Sequence, residues 1–451
     1  MTSNEVADTR TIFGHPRGLL VLWSTEVWDR ISFHGMQALL TLYLANQLLL
    51  PANIGRIVGI HEFRAAIEFF TGPLTIEALA TQIFGLYIGF VYFMPFFGGV
   101  IGDRLLGRRA SVVAGGLLMT AGHFAMAFDA SFVLALLLLI LGAGLLRGNL
   151  TPQVGELYDR EDRRRTVAFQ AYGAAVNLGA FIAPLVTGQL AKSFGWHVGF
   201  GFAGVGMLIG VAIYMIWGRG LPSYQPAQSV AAQRLSADDW RRVFFLIALI
   251  PVAATFWVAQ SQVWNTYNLW VQDHIELHIG KWQMPVPWLQ SLDGLAPFLL
   301  IPAVLAFWHW QSKRGREPND FIKVALGCFI FGAATWWLGL AGLVSDAHGR
   351  APLLWAVMFH VVSNLGWVYF SPTMTAIVSR IAPASINATM IGLYLFAVTI
   401  GSFVSGRLGA LYETVSPATF WTIHAAIVSL GGVIFLAIGA GVRLRARAQE
   451  A

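Results

Sequence analysis

The chain has 451 residues, of which 56% are hydrophobic and 12% charged, where an ordinary soluble domain carries about 25% charged residues. With a mean hydropathy of +0.63 it lacks the polar surface that a core of this size needs in water, which excludes a soluble globular protein and intrinsic disorder and leaves an integral membrane protein. The net charge of +6 would point to a nucleic-acid partner only if the basic residues clustered on one soluble face, and they do not. A lone cysteine, Cys328, excludes an intrachain disulfide and a thiolate metal cluster. Residues 1–18 contain Asp, Glu and Arg but no apolar run, so no cleaved signal peptide is expected and the first span doubles as the targeting signal.

A spanning helix needs about 20 mostly apolar residues. Twelve windows of that kind follow one another at 19–46, 79–102, 109–128, 131–157, 167–190, 198–218, 243–271, 290–311, 322–344, 352–378, 386–412 and 417–442. Backbone in hydrocarbon must satisfy its own hydrogen bonds, so runs this long predict helices and an all-α fold. The outer loop 51–78 mixes Arg56, His61, Glu62, Arg64 and Glu68 with apolar residues, which predicts a short interfacial helix. The longest inner loop, 220–240, is polar and contains Pro222, Pro226, Asp238 and Asp239. It divides an N-terminal six-helix bundle, 1–218, from a C-terminal one, 243–451, across a cytoplasmic linker at 219–242.

If the N-terminus is cytoplasmic, 21 of the 29 Lys and Arg residues fall in inner segments, among them Arg10, Arg104, Arg108, Arg109, Arg160, Arg163, Arg164, Arg165, Arg234, Arg241, Arg242, Arg443, Arg445 and Arg447. Arg56, Arg64, Lys192, Lys281 and Arg350 fall outside, and Arg30, Arg147 and Arg407 lie within spans. The bias predicts that both termini are cytoplasmic and accounts for the basic balance without an acidic partner. After the second span comes Gly99-x-x-x-Asp103-Arg104-x-x-Gly107-Arg108-Arg109. Its glycines let helices approach closely, and Asp103, Arg104 and Arg108 can pair across cytoplasmic helix ends as a gate; plain inner-loop basicity is the alternative. Twelve spans in two halves with this loop describe a major facilitator-type transporter.

Span one carries Glu26, Asp29 and Arg30 at i, i+3 and i+4, hence on one helical face. At roughly 2.5–3.5 kcal/mol for each charge near a helix centre, three unpaired charges would cost about 8–10 kcal/mol, so they must face a wet or paired interior. Two readings stand: a proton-titratable cluster that presents Arg30 to substrate, or a static ion pair between helices. Arg147 in span four has no acid nearby in sequence. With Arg30 it would make a two-point pocket for an anion, or else it pairs with the span-one carboxylates or snorkels to the interface. For Arg407, near the outer end of span eleven, snorkelling is expected. His34, His123 and His360 also lie in spans, where a histidine is generally a hydrogen-bonded interior residue; His34 sits one turn after Arg30. Trp196, Trp282 and Trp288 read as interfacial anchors, whereas Trp257, Trp264 and Trp367 lie deeper and can shape a cavity. No phosphate loop, catalytic triad or metal-ligand motif is present, so neither an enzyme nor a cofactor or metal site is expected.

The residues of the spans resemble the proton-dependent oligopeptide transporter (POT) branch of the major facilitator superfamily. The run Glu26-Val-Trp-Asp29-Arg30-Ile-Ser-Phe33-His34-Gly35-Met36-Gln37-Ala-Leu-Leu is similar to the family's ExxERFxYYGMRALL signature. Further similar stretches are Gly85-Leu-Tyr87-Ile-Gly89-Phe-Val-Tyr92, Gly155-Glu-Leu-Tyr158, Arg163-Arg164-Arg165, Asn177-Leu-Gly179-Ala-Phe-Ile-Ala-Pro184, Phe256-Trp257, Trp288-Leu-Gln290-Ser291-Leu292, Ser371-Pro372 and Arg380-Ile-Ala-Pro383. The resemblance implies a proton-coupling cluster of Glu26, Asp29 and Arg30, and places Arg30 and Arg147 at a peptide carboxylate, with Arg147 where the family usually has Lys. It also implies a substrate site lined by Phe33, His34, Gln37, Trp257, Ser261, Gln262, Trp264 and Trp367.

Several positions depart from the pattern. Gln37 replaces the second basic residue of the signature, Phe33 and His34 replace its two Tyr, Ser261 stands at the span-seven acid, and Trp367 stands at the span-ten Glu that faces the peptide amino terminus. An ammonium buried beside Trp367 has no counter-ion, so ordinary dipeptides with free amino termini are expected to be poor cargo. The linker has no room for the extra helix pair of many bacterial members. The implied function is proton-coupled symport of peptides, modified peptides or small organic anions across the inner membrane by alternating access. The partners are then protons, a small-molecule or peptide substrate and the bilayer, with no nucleic acid and a monomeric chain. Rival readings are a non-transporting receptor or assembly partner, which the missing acids favour, and a proton-driven exporter.

Overall fold

The computed structural model describes residues 11–159, 161–221 and 235–450. Arg10, Arg160, Pro222, Pro226 and Arg234, and the side chains of Arg443, Arg445 and Arg447, lie outside the described residues. What is described is almost wholly helical: α1 (Arg17–Tyr43), α2 (Ile60–Thr71), α3 (Ile76–Ile101), α4 (Arg108–Ala125), α5 (Phe132–Glu156), α6 (Arg164–Phe194), α7 (Trp196–Trp217), α8 (Ala237–Gln262), α9 (Thr266–His274), α10 (Ser291–Ser312), α11 (Asp320–Gly339), α12 (Leu353–Ile381), α13 (Asn387–Tyr394), α14 (Phe396–Gly409) and α15 (Pro417–Glu450). Two-residue hairpins pair Thr11–Ile12 with His15–Pro16 and His278–Ile279 with Trp282–Gln283.

Among the described residues, 10 helical segments are long and apolar enough to cross a membrane, which makes the chain a multi-pass membrane protein. The first and third windows, now α1 and α4, are not among them. Glu26, Asp29, Arg30 and Gln37 dilute α1, and Arg108, Arg109 and His123 dilute the 18 residues of α4. Helix α2 lies in the 51–78 loop and buries Ile60 and Ile67 while Phe69 and Phe70 are exposed, the pattern of a helix that rests in an interface.

Two windows read as continuous helices are broken. Window 243–271 stops at Gln262 and resumes at Thr266. Side chains bond to backbone carbonyls around this break: Gln290 donates to the Val263 carbonyl at 2.5 Å, and Asn265, in the break, donates to the Thr81 carbonyl of α3 at 3.0 Å. Window 386–412 is α13 and α14, which meet at Leu395.

The chain divides into two compact units, Met1–Pro73 with Phe90–Val230, and Leu74–Gly89 with Ala231–Ala451. In the first, α1 packs on α6 and α7, and α4 on α5 and α7. In the second, α11 packs on α12 and α15, α8 on α14 and α15, and α10 on α12. Bare glycine faces set these crossings, as lipid tails supply no hydrophobic drive between helices. A Cβ on Gly98 would lie 2.0 Å from the Gly144 carbonyl oxygen, and one on Gly366 2.8 Å from that of Gly327. Because the first clash is with backbone, Gly98→Ala is expected to lower stability by about 1–3 kcal/mol, seen as a lower melting temperature of the detergent-solubilised protein, while Ala at the uncrowded Gly173 leaves it close to the parent.

Candidate functional site

Helix α1 brings Glu26, Asp29 and Arg30 to one face, with Asp29 at 0% and Glu26 at 1% side-chain exposure and Arg30 at 15%. Arg30 Nε donates to Glu26 Oε1 at 2.7 Å and lies 3.7 Å from Asp29 Oδ2. From α5, Arg147, 8% exposed, reaches Asp29 with two prongs, Nε to Oδ2 at 3.0 Å and Nη2 to Oδ1 at 3.3 Å. From α6, the Tyr172 hydroxyl donates to Glu26 Oε2. Two guanidinium groups and two carboxylates thus form a neutral cluster in which each charge has a charge-assisted hydrogen bond. Of the readings left open for Arg147, the structure shows pairing with a span-one carboxylate.

The surroundings hold these side chains in place. A Cβ on Gly179 of α6 would lie 2.4 Å from Arg30 Cβ, so the glycine of the Asn177-Leu-Gly179 stretch lets α6 run against the charged face of α1. The Phe33 ring lies under Arg147 with Cζ 4.2 Å from its centroid, a cation–π contact that replaces hydration on one guanidinium face. One turn on, His34 Nδ1 and Gln37 Oε1 are 3.2 Å apart. Buried His123 of α4 has no hydrogen-bond partner on either ring nitrogen and feels the charges of Asp29 and Arg147.

At another end of the same unit, Arg108 donates to Asp103 Oδ1 at 3.0 Å and to Glu156 Oε1. The pair expected at Asp103 and Arg108 therefore also takes in the end of α5, and Arg104 is exposed.

In the second unit the candidate residues are neutral. Ser261 Oγ lies 3.0 Å from Ser402 Oγ. Gln262 donates to the Ser405 carbonyl and to His424 Nε2, both at 2.9 Å. His424 Nδ1 faces the Phe420 carbonyl at 2.8 Å, a network satisfied by a neutral imidazole with its proton on Nδ1. Trp257 donates to Tyr394 Oη at 3.4 Å, and Trp264 is buried at the α8–α9 break. Trp367 packs with Trp308, Leu300 and Ile301 against Val304, Val368 and Tyr369. The site residues named from sequence thus fall into two sets: Glu26 to Gln37 with Arg147 in the first unit, and Trp257 to Trp264 with Trp367 in the second.

Sequence reasoning missed Tyr172, Glu156 and His424. Tyr172 sits in a small-residue run of α6, and only its i, i+7 spacing with Gly179 could have marked it. Glu156 lies inside the quoted Gly155-Glu-Leu-Tyr158 stretch, where an acid at a span end reads as interfacial.

Residues 109–237 and 225–423 match the model of the POT family. The di-/tripeptide transporter of Lactococcus lactis subsp. cremoris is 27% identical, with 95% of this chain and 96% of that protein aligned. The peptide transporter YePEPT of Yersinia enterocolitica subsp. palearctica is 26% identical over 97% of this chain and 96% of its own. A crystal structure of a mutant peptide transporter POT in complex with alafosfalin superposes with a TM-score of 0.83 at 26% identity, covering 97% of each chain. The chain belongs to the POT family.

Proposed function

We propose that this chain is a proton-coupled symporter that imports peptides, modified peptides or small organic anions by alternating access. It works as a monomer in the inner cell membrane, with twelve spans in two six-helix bundles, 1–218 and 243–451, joined by the linker at 219–242, and with both ends on the cytoplasmic side. Helices α1 and α4 supply the two spans beyond the ten apolar ones, and the skew of basic residues supports the orientation. The di-/tripeptide and peptide transporters among its relatives support the substrate class.

One observation carries the reading: Glu26, Arg30, Asp29 and Arg147 form a buried, internally neutral cluster inside a membrane-spanning unit. Protonation of Glu26 removes its charge and releases Arg30 to bind a substrate carboxylate. Conversely, a substrate carboxylate that takes Arg30 leaves Glu26 a buried anion, whose cheapest exit is to accept a proton. Proton and anion therefore bind together. Asp103, Arg104 and Arg108, with Glu156, act as the cytoplasmic gate of the first unit. Phe33, His34, Gln37, Trp257, Ser261, Gln262, Trp264 and Trp367 line the substrate path. Neither Ser261 nor Trp367 offers a substrate ammonium a counter-ion.

In proteoliposomes, an inward proton gradient is expected to raise uptake of N-acetyl-dialanine, and dialanine with its free amino group is expected to compete less well. Equal uptake with and without the gradient would remove proton coupling; binding without flux would make the chain a receptor. Arg30→Ala is expected to reduce driven uptake at least about tenfold, the loss of one hydrogen bond to a charged group. Asp29→Asn strands Arg147 as a buried cation and is expected to cost about 3–5 kcal/mol of stability, read as a fall in melting temperature that Glu26→Gln, whose loss leaves Arg30 beside Asp29, does not match.

A further inference from the structure

The second unit contains an ionisable pair that the proposed mechanism does not use. Asp293 lies in the first turn of α10, and His360 and Asn364 lie four residues apart on α12. Asp293 Oδ1 receives two hydrogen bonds, from His360 Nδ1 at 2.8 Å and Asn364 Nδ2 at 2.8 Å. The His360 side chain is 0% exposed and that of Asp293 10%. Asp293 Oδ2 and His360 Nε2 are buried with no hydrogen-bond partner, as is Tyr267 Oη of α9, whose ring stands edge-on to the imidazole at 5.2 Å between centroids.

This arrangement is costly unless it is used. A carboxylate and an imidazole in a span are each expensive, and here each keeps one unsatisfied polar atom. Asp293 accepts from Nδ1, so the ring carries its proton on Nδ1 and presents the Nε2 lone pair. In that state the pair has a net charge of −1. Tyr267 is the titratable group that meets the pair from another element. The basic groups at the far end of α11 and α12 are committed elsewhere: Lys323 to Glu317 at 2.5 Å, and Arg380 to Asp320 at 2.5 Å. His360, Asn364 and Trp367 follow one another at helical spacing along α12, so the acid missing at 367 has a substitute within two turns, reached from α10.

We propose that Asp293 and His360 form a proton-binding site of the second unit, which couples transport to the proton gradient in place of the acids absent at 261 and 367. A proton from water adds to the Nε2 lone pair of His360; Nδ1–H stays bonded to Asp293 Oδ1, and the pair passes from −1 to neutral. Release reverses the step. The coupling part rests on the transport reading above; the proton site itself does not.

The test has two arms on the full-length protein. Infrared difference spectra between acid and neutral pH, recorded without substrate, are expected to contain imidazole bands that His360→Gln removes and Asp293→Asn alters. Spectra identical to the parent in both variants overturn the site. In proteoliposomes, each variant is expected to lose gradient-driven N-acetyl-dialanine uptake at least tenfold while exchange between equal internal and external N-acetyl-dialanine falls by no more than twofold. Altered spectra with parental driven uptake overturn the coupling role. Loss of dialanine transport with N-acetyl-dialanine transport retained also overturns it, and makes Asp293 a receptor for the substrate ammonium. Should Asp293→Asn not fold, His360→Gln, which keeps a donor toward Asp293, carries both arms. If the parent transports neither probe, the transport reading fails while the infrared arm still decides the proton site.

Discussion

No charge can remain alone in hydrocarbon, and this constraint organises the molecule. Asp29 and Arg147 lie on different helices, as do Glu26 and Tyr172, so α1, α5 and α6 are tied to one another by the need to neutralise buried groups. Burying the pair gains little net stability, but removing one member is costly because the survivor is stranded. The glycines follow from the same demand. Without the bare face at Gly179, α6 could not run against Arg30, and the ion pairs would open to lipid. The ties of α1 to α5 and α6 at this cluster are therefore made by ionisable groups.

The second unit meets the constraint differently. Where charge would be expected on α8 and α12, it has Ser261 and Trp367, and its α8–α14–α15 contact is made by neutral groups: a serine pair and an amide that donates to a carbonyl and to an imidazole. Neutral hydrogen bonds hold helices without creating a group that must be compensated when a partner leaves. A buried carboxylate, Asp293, lies instead at the start of α10, where His360 and Asn364 of α12 meet it.

What was legible in the sequence follows from which forces are local. Hydropathy windows located the ten apolar spans, most of their ends to within a few residues, because burial in lipid is a property of a single segment. The i, i+3, i+4 spacing of Glu26, Asp29 and Arg30 was legible because one helix carries all three. Partners from other helices were not. Tyr172 resembles any aromatic in a span, Glu156 an interfacial acid, and Asp293, three residues into window eight, a charge at a helix end. The break after Gln262 was hidden for the same reason: Gln290 satisfies the Val263 carbonyl there, and no local signal announces help from a distant side chain.

The charge count of the two proposed proton sites also bears on the cargo. With both carboxylates ionised the first-unit cluster is neutral; one proton makes it +1 and one substrate carboxylate restores neutrality. The Asp293–His360 pair is −1 and one proton makes it neutral. A blocked peptide with a single carboxylate therefore leaves both proposed sites neutral once two protons are bound, whereas a zwitterion, whose ammonium neither Ser261 nor Trp367 can pair, reaches neutrality with one proton only if that ammonium lies beside Asp293. In a low-dielectric interior the uncompensated charge is the expensive one, so on the proposed reading the absence of two acids selects cargo by the charge it lacks as much as by the charge it carries.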